Sequence, residues 1–370
     1  MEIKKLFYKY NTLSDKATPY LAIESGKVVD TLKIFQQHFG AENVYYAVKA
    51  NPDTALIALL QNNGCNFEVS SIPELELCTG PGVPASRIIS AGTIKTPDFI
   101  RDAFKTGVKY FTADCVSEVE QIARQAPGSN LVVRLIVSNE GSEWPLTRKF
   151  GVTAEEAAGL LIKARESGLT PYGLSFHVGS QCTLAKTWEE AIVTASRAWE
   201  AAKQNNISLK SLNLGGGFPI SYQKPVPPIE DIAATIHRSL KHKIPDAEEV
   251  LVEPGRALVG HAGTIVASVT AKAVRNKQRW LYLDIGVFNG LMESIGGIKY
   301  DYKVGRQGKP VKWVLSGPSC DSMDIIDKSV YLPDVEIGDH VFIRAAGAYT
   351  TAYASKFCGL PIPEIYLIQD

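Results

Sequence analysis

The sequence predicts an α/β fold, a (β/α)8 TIM-type barrel joined to a second, mainly β domain. Two observations carry this. Eight short apolar or β-branched runs recur between residues 44 and 255, with helix-periodic segments between most of them, and after about residue 262 the texture turns β-rich with short polar or glycine turns. Strands alternating with helices imply a parallel sheet. Eight such units are the number at which that sheet closes on itself. An open doubly wound sheet shares the periodicity and is the alternative architecture.

The runs are "VYYAVKA" (44–50), "NFEVSS" (66–71), "RIISAG" (87–92), "KYFTA" (109–113), "LVVRLIV" (131–137), "YGLSFHVG" (172–179), "LKSLNLGGG" (209–217) and "EEVLVEPG" (248–255). "TALIALLQNNG" (54–64) and "AEEAAGLLIKARESG" (154–168) read as helices closed by a glycine. Residues 187–205 and 228–241 carry apolar residues at three- and four-residue steps. Later come "GTIVASVTAKAVRN", "QRWLYLDIG", "VKWVLSG" and "HVFIRAAG". "TPYLAIE" (18–24) is strand-like and precedes the first barrel unit, so it is assigned to the β domain. The expected division is 24–262 for the barrel, with 1–23 and 263–370 forming a discontinuous β domain.

The chain has 370 residues, 45% of them hydrophobic, which is ample for a large core. Lysine plus arginine equals aspartate plus glutamate, 39 each, so nothing in the charge asks for a nucleic acid or an anionic membrane. A neutral surface suits self-association. Six scattered cysteines form no Cys-x-x-Cys pair, which argues against a zinc site and reads as reduced thiols of a cytoplasmic protein. "MEIKKLFYKYN" has no apolar stretch of signal-peptide length. The uncharged run 257–271 is too short to span a bilayer.

In barrels, chemistry gathers at the C-terminal ends of the strands. There the sequence places Lys49, Glu68, Arg134, His177 with Ser180, Gly215-Gly216-Gly217, and Glu253 with Gly255 and Arg256. Lys49 ends an apolar run, an unusual place for an ordinary surface lysine. Consecutive glycines let backbone N–H groups approach an anion, and Arg256 and Ser180 add donors suited to phosphate. Glu253 beside an anion site makes sense when the ligand also offers a cation. Pyridoxal phosphate offers a phosphate, a protonatable ring nitrogen and an aldehyde for a lysine. Each residue also has a plainer reading. Lys49 is then a snorkelling lysine, His177 a core histidine bonded to backbone, the triplet a tight loop, Glu253 an ion-pair partner of Arg256, Cys320 buried filler and Tyr349 a packing tyrosine.

The stretches "YYAVKANPD", "SFHVGSQC", "NLGGGFP", "EPGRALVG", "GPSCDSMDII" and "GAYTTAYASKF", in that order and nearly end to end, resemble the pyridoxal-phosphate-dependent ornithine/lysine/arginine/diaminopimelate decarboxylases of the alanine-racemase fold, most closely the ornithine decarboxylases. "GSEWPLTRKFGV" resembles their bacterial members. The resemblance implies that Lys49 is the Schiff-base lysine, that His177 stacks on the cofactor ring and that Glu253 pairs with its nitrogen. It implies that Ser180, Gly217, Gly255, Arg256 and Tyr349 hold the phosphate, and that Glu68 and Arg134 order cofactor and lysine. Cys320 is implied to reprotonate the α-carbon, Asp321 to bind the distal amine of the substrate, and Phe357 to line the substrate site. It also implies a head-to-tail homodimer in which Cys320 and Asp321 serve the neighbouring subunit.

One stretch departs from the family pattern. After "YLDIGVFNGLMES" the family continues with an acid that meets the distal amine, whereas this chain has Gly296 and Gly297, with Glu293 and Asp301 the nearest acids. L-Ornithine, giving putrescine and CO2, is the expected substrate. Lysine, arginine or a modified diamino acid is the alternative, and the context of Cys320 disfavours meso-diaminopimelate. An amino-acid racemase and a non-catalytic regulatory homologue are the rival functions. "GPSCDSMD" argues against the first, and the presence of Lys49, Glu253, Arg256 and Cys320 against the second.

Overall fold

The structure, a computed structural model, describes residue 13 and residues 15–146 and 149–369. The first twelve residues of the expected β domain, and Thr147 and Arg148 of "GSEWPLTRKFGV", lie outside the described residues. Two compact units emerge. One comprises Val29–Pro219 and Val226–Ala257; the other comprises Met1–Val28, Ile220–Pro225 and Leu258–Asp370.

The first unit is a closed parallel barrel. Its strands are Tyr45–Ala47, Asn66–Glu68, Ile88–Ile89, Tyr110–Ala113, Asn130–Arg134, Thr170–Ser175, Ser211–Asn213 and Glu249–Leu251. Three pair in one group and five in another, all parallel. Closure rests on two short bridges. Ser90 donates to the Tyr110 carbonyl and accepts from Thr112, while Tyr45 donates to Val252 and Val252 to Asn43. The open-sheet alternative is thereby excluded.

Most strands are shorter than the apolar runs that announce them, because the runs continue into the loops that carry the polar groups. Strand one stops at Ala47, and Val48–Ala50 forms a 3-10 turn. Lys49 is thus not a strand residue. The turn buries Val48 and Ala50 and leaves the lysine half exposed between them. Ser180 is likewise not on barrel strand six. It opens a separate strand, Ser180–Cys182, paired antiparallel with Ser142–Trp144.

Helices follow the strands, and their starts are written locally. The Asp53 side chain accepts from Leu56 N, Ser71 from Glu74 N and Thr96 from Phe99 N, while Thr153 and Glu156 form a reciprocal capping box. The helices Thr54–Asn62 and Ala154–Glu166 end just before Gly64 and Gly168, as expected. Helices at Ile72–Thr79, Pro97–Thr106, Val116–Gln125, Ala185–Gln204 and Ile229–Lys243 continue the alternation, the last two over the segments expected from their periodicity. Pro97–Thr106 buries Phe99, Ile100 and Ala103 on one face; a fully buried Phe of this kind stabilises the fold by roughly 1.5–3 kcal/mol.

The second unit is built on an eight-stranded sheet. Tyr20–Glu24 pairs antiparallel with Gly263–Arg275 and parallel with Glu364–Ile368. The four anticipated runs become Gly263–Arg275, Gln278–Leu283, Val311–Ser316 and His340–Arg344. Asp301–Val304, Ile325–Leu332 and Glu364–Ile368 add strands the pattern did not announce. The uncharged run 257–271 is divided between a short helix and a strand. Among the described residues no helix is long and apolar enough to cross a membrane.

Candidate active site

The C-terminal rim of the barrel gathers the predicted polar groups. Lys49 Nζ lies 2.7 Å from Oε2 of Glu68, a carboxylate buried at the end of strand two. The other Glu68 oxygen accepts from Ser70 Oγ at 2.8 Å. An anchored carboxylate therefore sets the direction in which the lysine amine points.

Glu253, two residues past strand eight, is buried and accepts from Asn213 Nδ2 at 2.6 Å. The same amide lies 3.3 Å from Tyr110 Oη, and Asn213 Oδ1 accepts from Gly215 N at 2.9 Å. Asn213 thus ties the carboxylate to the glycine turn. The alternative of Glu253 as a simple ion-pair partner of Arg256 gives way to this amide contact. Burial, then the neighbouring Glu68, push the Glu253 carboxyl up to about 7 from its ordinary 4.5, with Lys49, Asn213 and Arg134 opposing.

His177 lies two residues past strand six, and its Nδ1 accepts from Gly179 N at 3.0 Å. The plainer reading of a backbone-bonded histidine is therefore true of one ring edge. Burial, then Arg134 and Lys49, hold the imidazole well below its ordinary value. Since Nδ1 accepts, the neutral form of the ring carries its hydrogen on Nε2. Arg134 ends strand five, its guanidinium 5.1 Å from the Phe150 ring centroid. Burial lowers its pKa, and Glu253, Asp114 and Glu68 act against that. Arg256 opens a short helix and donates from Nη2 to Ser180 Oγ at 3.1 Å; Gly255 beside it is buried.

The glycine triplet is under steric constraint. A Cβ on Gly215 would sit 2.3 Å from the Phe176 carbonyl, one on Gly216 2.7 Å from that of Glu253, and one on Gly217 2.3 Å from that of Gly179. Gly215 and Gly217 also have φ of 66° and 100°. Phe218 then anchors the turn, buried with its ring centroid 5.0 Å from Phe35 and 5.2 Å from Trp188.

The remaining predicted residues belong to the β unit. Cys320, Asp321 and Phe357 are exposed, and Tyr349 is half-buried, stacked on Tyr353 at 5.8 Å with a φ of 55°. Cys320 is therefore not buried filler. Its Sγ lies 3.8 Å from that of Cys358, next to Phe357. Asp321 Oδ1 accepts from Met323 N at 2.8 Å. Near the departing stretch, Glu293 is buried and Gly296 and Gly297 are exposed, while Asp301 forms ion pairs with Lys303 and Arg344, both at 3.2 Å. Among the described residues no cluster of three or more His, Cys, Asp or Glu side chains could hold a metal.

Sequence reasoning passed over Asn213, Tyr110 and Ser70. The signal for Asn213 was available: a polar residue in an apolar run, directly before "LGGG"; the structure buries it fully. Tyr110 comes from a strand 103 residues away, a proximity only the closed sheet produces.

Residues 25–260 match the family described as "Pyridoxal-dependent decarboxylase, pyridoxal binding domain". The chain belongs to this family of pyridoxal-phosphate-dependent carboxy-lyases. It is 34% identical over 361 residues to the lysine/ornithine decarboxylase of Selenomonas ruminantium, covering 95% of this chain and 90% of that protein. Among solved structures it is similar to the lysine/ornithine decarboxylase of Vibrio vulnificus complexed with putrescine, at TM-score 0.89 and 31% identity over 99% of this chain and 98% of that one. It is also similar to the arginine decarboxylase of Paramecium bursaria Chlorella virus bound to agmatine, at TM-score 0.92 and 26% identity over 99% of this chain and 100% of that one. The fold is accordingly alanine-racemase-like.

The residues present fit pyridoxal phosphate. The rim offers a lysine aimed by a buried carboxylate, a second buried carboxyl that gains by meeting a cation, and a neutral imidazole. It also offers a glycine turn that side chains would fill, with Arg256 and Ser180 in one hydrogen-bonded pair.

Proposed function

We propose that this protein decarboxylates a basic L-amino acid, L-ornithine first, releasing putrescine and CO2 for polyamine synthesis. Lysine, arginine or a modified diamino acid is the alternative substrate. The observation that carries the reading is the rim in which Asn213 joins Glu253 to the glycine turn while Glu68 aims Lys49.

When bound, pyridoxal phosphate supplies an electron sink for the bond pair left behind by departing CO2. The chain's residues do the rest. Lys49 would be the amine that holds the cofactor's aldehyde. Glu68 and Arg134 order that end of the site. Glu253 would meet the ring nitrogen, and a cation there would favour its ionised form despite its burial. His177 presents a flat, uncharged ring, which its bond from Gly179 keeps in one orientation. Arg256, Ser180, Gly217, Gly255 and Tyr349 hold the phosphate. Gly215 has already given its N–H to Asn213, so its part is the turn itself. From the β unit, Cys320 hands a proton to the α-carbon, Asp321 meets the distal amine and Phe357 lines the substrate site, in a head-to-tail homodimer whose subunits share their sites.

Gly296 and Gly297 bring no carboxylate. A distal ammonium that meets Asp321 alone forgoes a charge-assisted hydrogen bond worth roughly 1.5–3 kcal/mol. That cost, and the lysine/ornithine and arginine activities named for its relatives, keep the alternatives in the assay. Purified holoenzyme offered ornithine, lysine, arginine and meso-diaminopimelate should release CO2 fastest from ornithine; release from none would overturn the reading. Mixing Lys49→Ala and Cys320→Ala proteins should restore activity if sites are shared between subunits.

A further inference from the structure

Two of the six cysteines stand apart from the rest. Cys65, Cys78 and Cys182 are buried, and Cys115 is half-buried. Cys320 and Cys358 are both exposed, and their sulfurs, 38 residues apart in sequence, touch at 3.8 Å. Cys320 lies in the bend after strand Val311–Ser316. Cys358 lies in the turn Phe357–Gly359 with a φ of 56°, a left-handed conformation unusual for a side chain of this kind. Two loops, one of them strained, thus bring two thiols into van der Waals contact on an exposed surface of the single chain.

We propose that Cys320 and Cys358 form a modification site, a dithiol that closes to an intrachain disulfide by exchange with a small disulfide such as oxidised glutathione. One thiolate attacks a sulfur of the reagent and releases one glutathione thiol. The second protein thiol attacks the mixed disulfide so formed and releases the other. Two electrons pass to the reagent, the two thiol protons end on the two glutathiones, and the Cys320–Cys358 bond is the product. The sulfurs must close from 3.8 Å to a bond of about 2.05 Å. The contact with Cys358 also raises the Cys320 pKa.

The consequence for activity rests on the proposed role of Cys320. A proton carrier locked in a disulfide has no S–H to give. A thiol that must reach a substrate is, by the same opening, within reach of a small disulfide.

The test uses full-length holoenzyme equilibrated with graded ratios of oxidised to reduced glutathione, quenched by alkylation and mapped by mass spectrometry without reduction. The expected result is a linked pair of peptides carrying Cys320 and Cys358, two hydrogens lighter, within one chain on a non-reducing gel and reversed by dithiothreitol. Cys358→Ser should instead show one glutathione on Cys320. Separate glutathione adducts on both cysteines, a link between two chains, or full alkylation of both at every ratio would each overturn the site. CO2 release should fall in step with the linked peptide. A complete link with undiminished release would support the dithiol and remove Cys320 from the reaction.

Discussion

The barrel rim and the loops of the β unit hold their functional candidates in different ways. At the rim, Glu68, Asn213, Glu253 and Arg256 are buried and their side chains are held by hydrogen bonds, locally from Ser70 to Glu68 and between segments far apart in sequence for Asn213 with Glu253 and Arg256 with Ser180. In the β unit, Cys320, Asp321 and Phe357 are exposed and touch neighbours on their own or adjacent loops. Groups that grip a cofactor gain from rigidity, since each buried bond fixes an orientation before the ligand arrives. Groups that meet a substrate and let a product go belong on loops. Losses at the rim should therefore be losses of cofactor chemistry, and losses on the loops should spare it.

The largest expected effect is at the rim. Lys49→Ala should lower turnover by on the order of 10³-fold or more. Borohydride trapping and peptide mapping should tag position 49 in the parent and nothing in the variant; a tag elsewhere breaks the comparison at its root.

Cys320→Ala tests the loop side. It should keep the cofactor's visible absorption yet lower amine formation by roughly 10²–10⁴-fold, the usual reach of proton-transfer catalysis. The remaining turnover should divert to carbonyl products of transamination, which product chromatography would quantify. An unchanged amine yield at an unchanged rate would erase the assigned role.

Asp321→Asn should cost about 10–100-fold in kcat/KM for the preferred diamino acid, from one lost charge-assisted hydrogen bond. Cofactor absorption should stay constant. A loss of absorption instead would mean that the loop supports the cofactor after all.

The smallest effect is one of stability and sharpens the rim side. The Glu253 carboxyl is raised to about 7 from 4.5, so between those values the folded cofactor-free protein binds a proton that the unfolded chain has released. Its stability should be highest below that window and fall as pH rises through it, by on the order of a few kcal/mol. Glu253→Gln should flatten this slope in urea unfolding series run across the window. An equally steep slope in the variant would place the titration on another group.

Much of this was legible in the sequence because the barrel repeats itself. Eight apolar runs, helix-periodic segments between them and a polar or glycine residue after each run suffice to foresee a parallel sheet with a reactive rim. Helix starts were equally local, as Thr153 with Glu156 shows. The exact ends of the strands were not legible. The apolar character of "VYYAVKA" runs straight through a 3-10 turn, because the residues flanking Lys49 are buried whether the backbone is extended or coiled. Ser180 was misplaced onto strand six for a similar reason. Its pairing partner, Ser142–Trp144, lies in a segment whose pattern gives no sign of a strand.

By itself, then, the sequence determined which residue types stand after which strand, and so the chemistry available: a lysine, carboxylates, an imidazole, three glycines and a thiol. Only the tertiary structure decided which of them share a hydrogen bond. Barrel closure brings Tyr110 and Glu253 to the same Asn213 amide, and burial there lifts the Glu253 carboxyl to about 7. The Cys320–Cys358 contact is of the same kind, two cysteines 38 residues apart in sequence whose sulfurs touch in space. The physical reason is that periodicity records which way a side chain faces, whereas hydrogen bonds, desolvation and sulfur contacts depend on distances between residues that the chain brings together only when it folds.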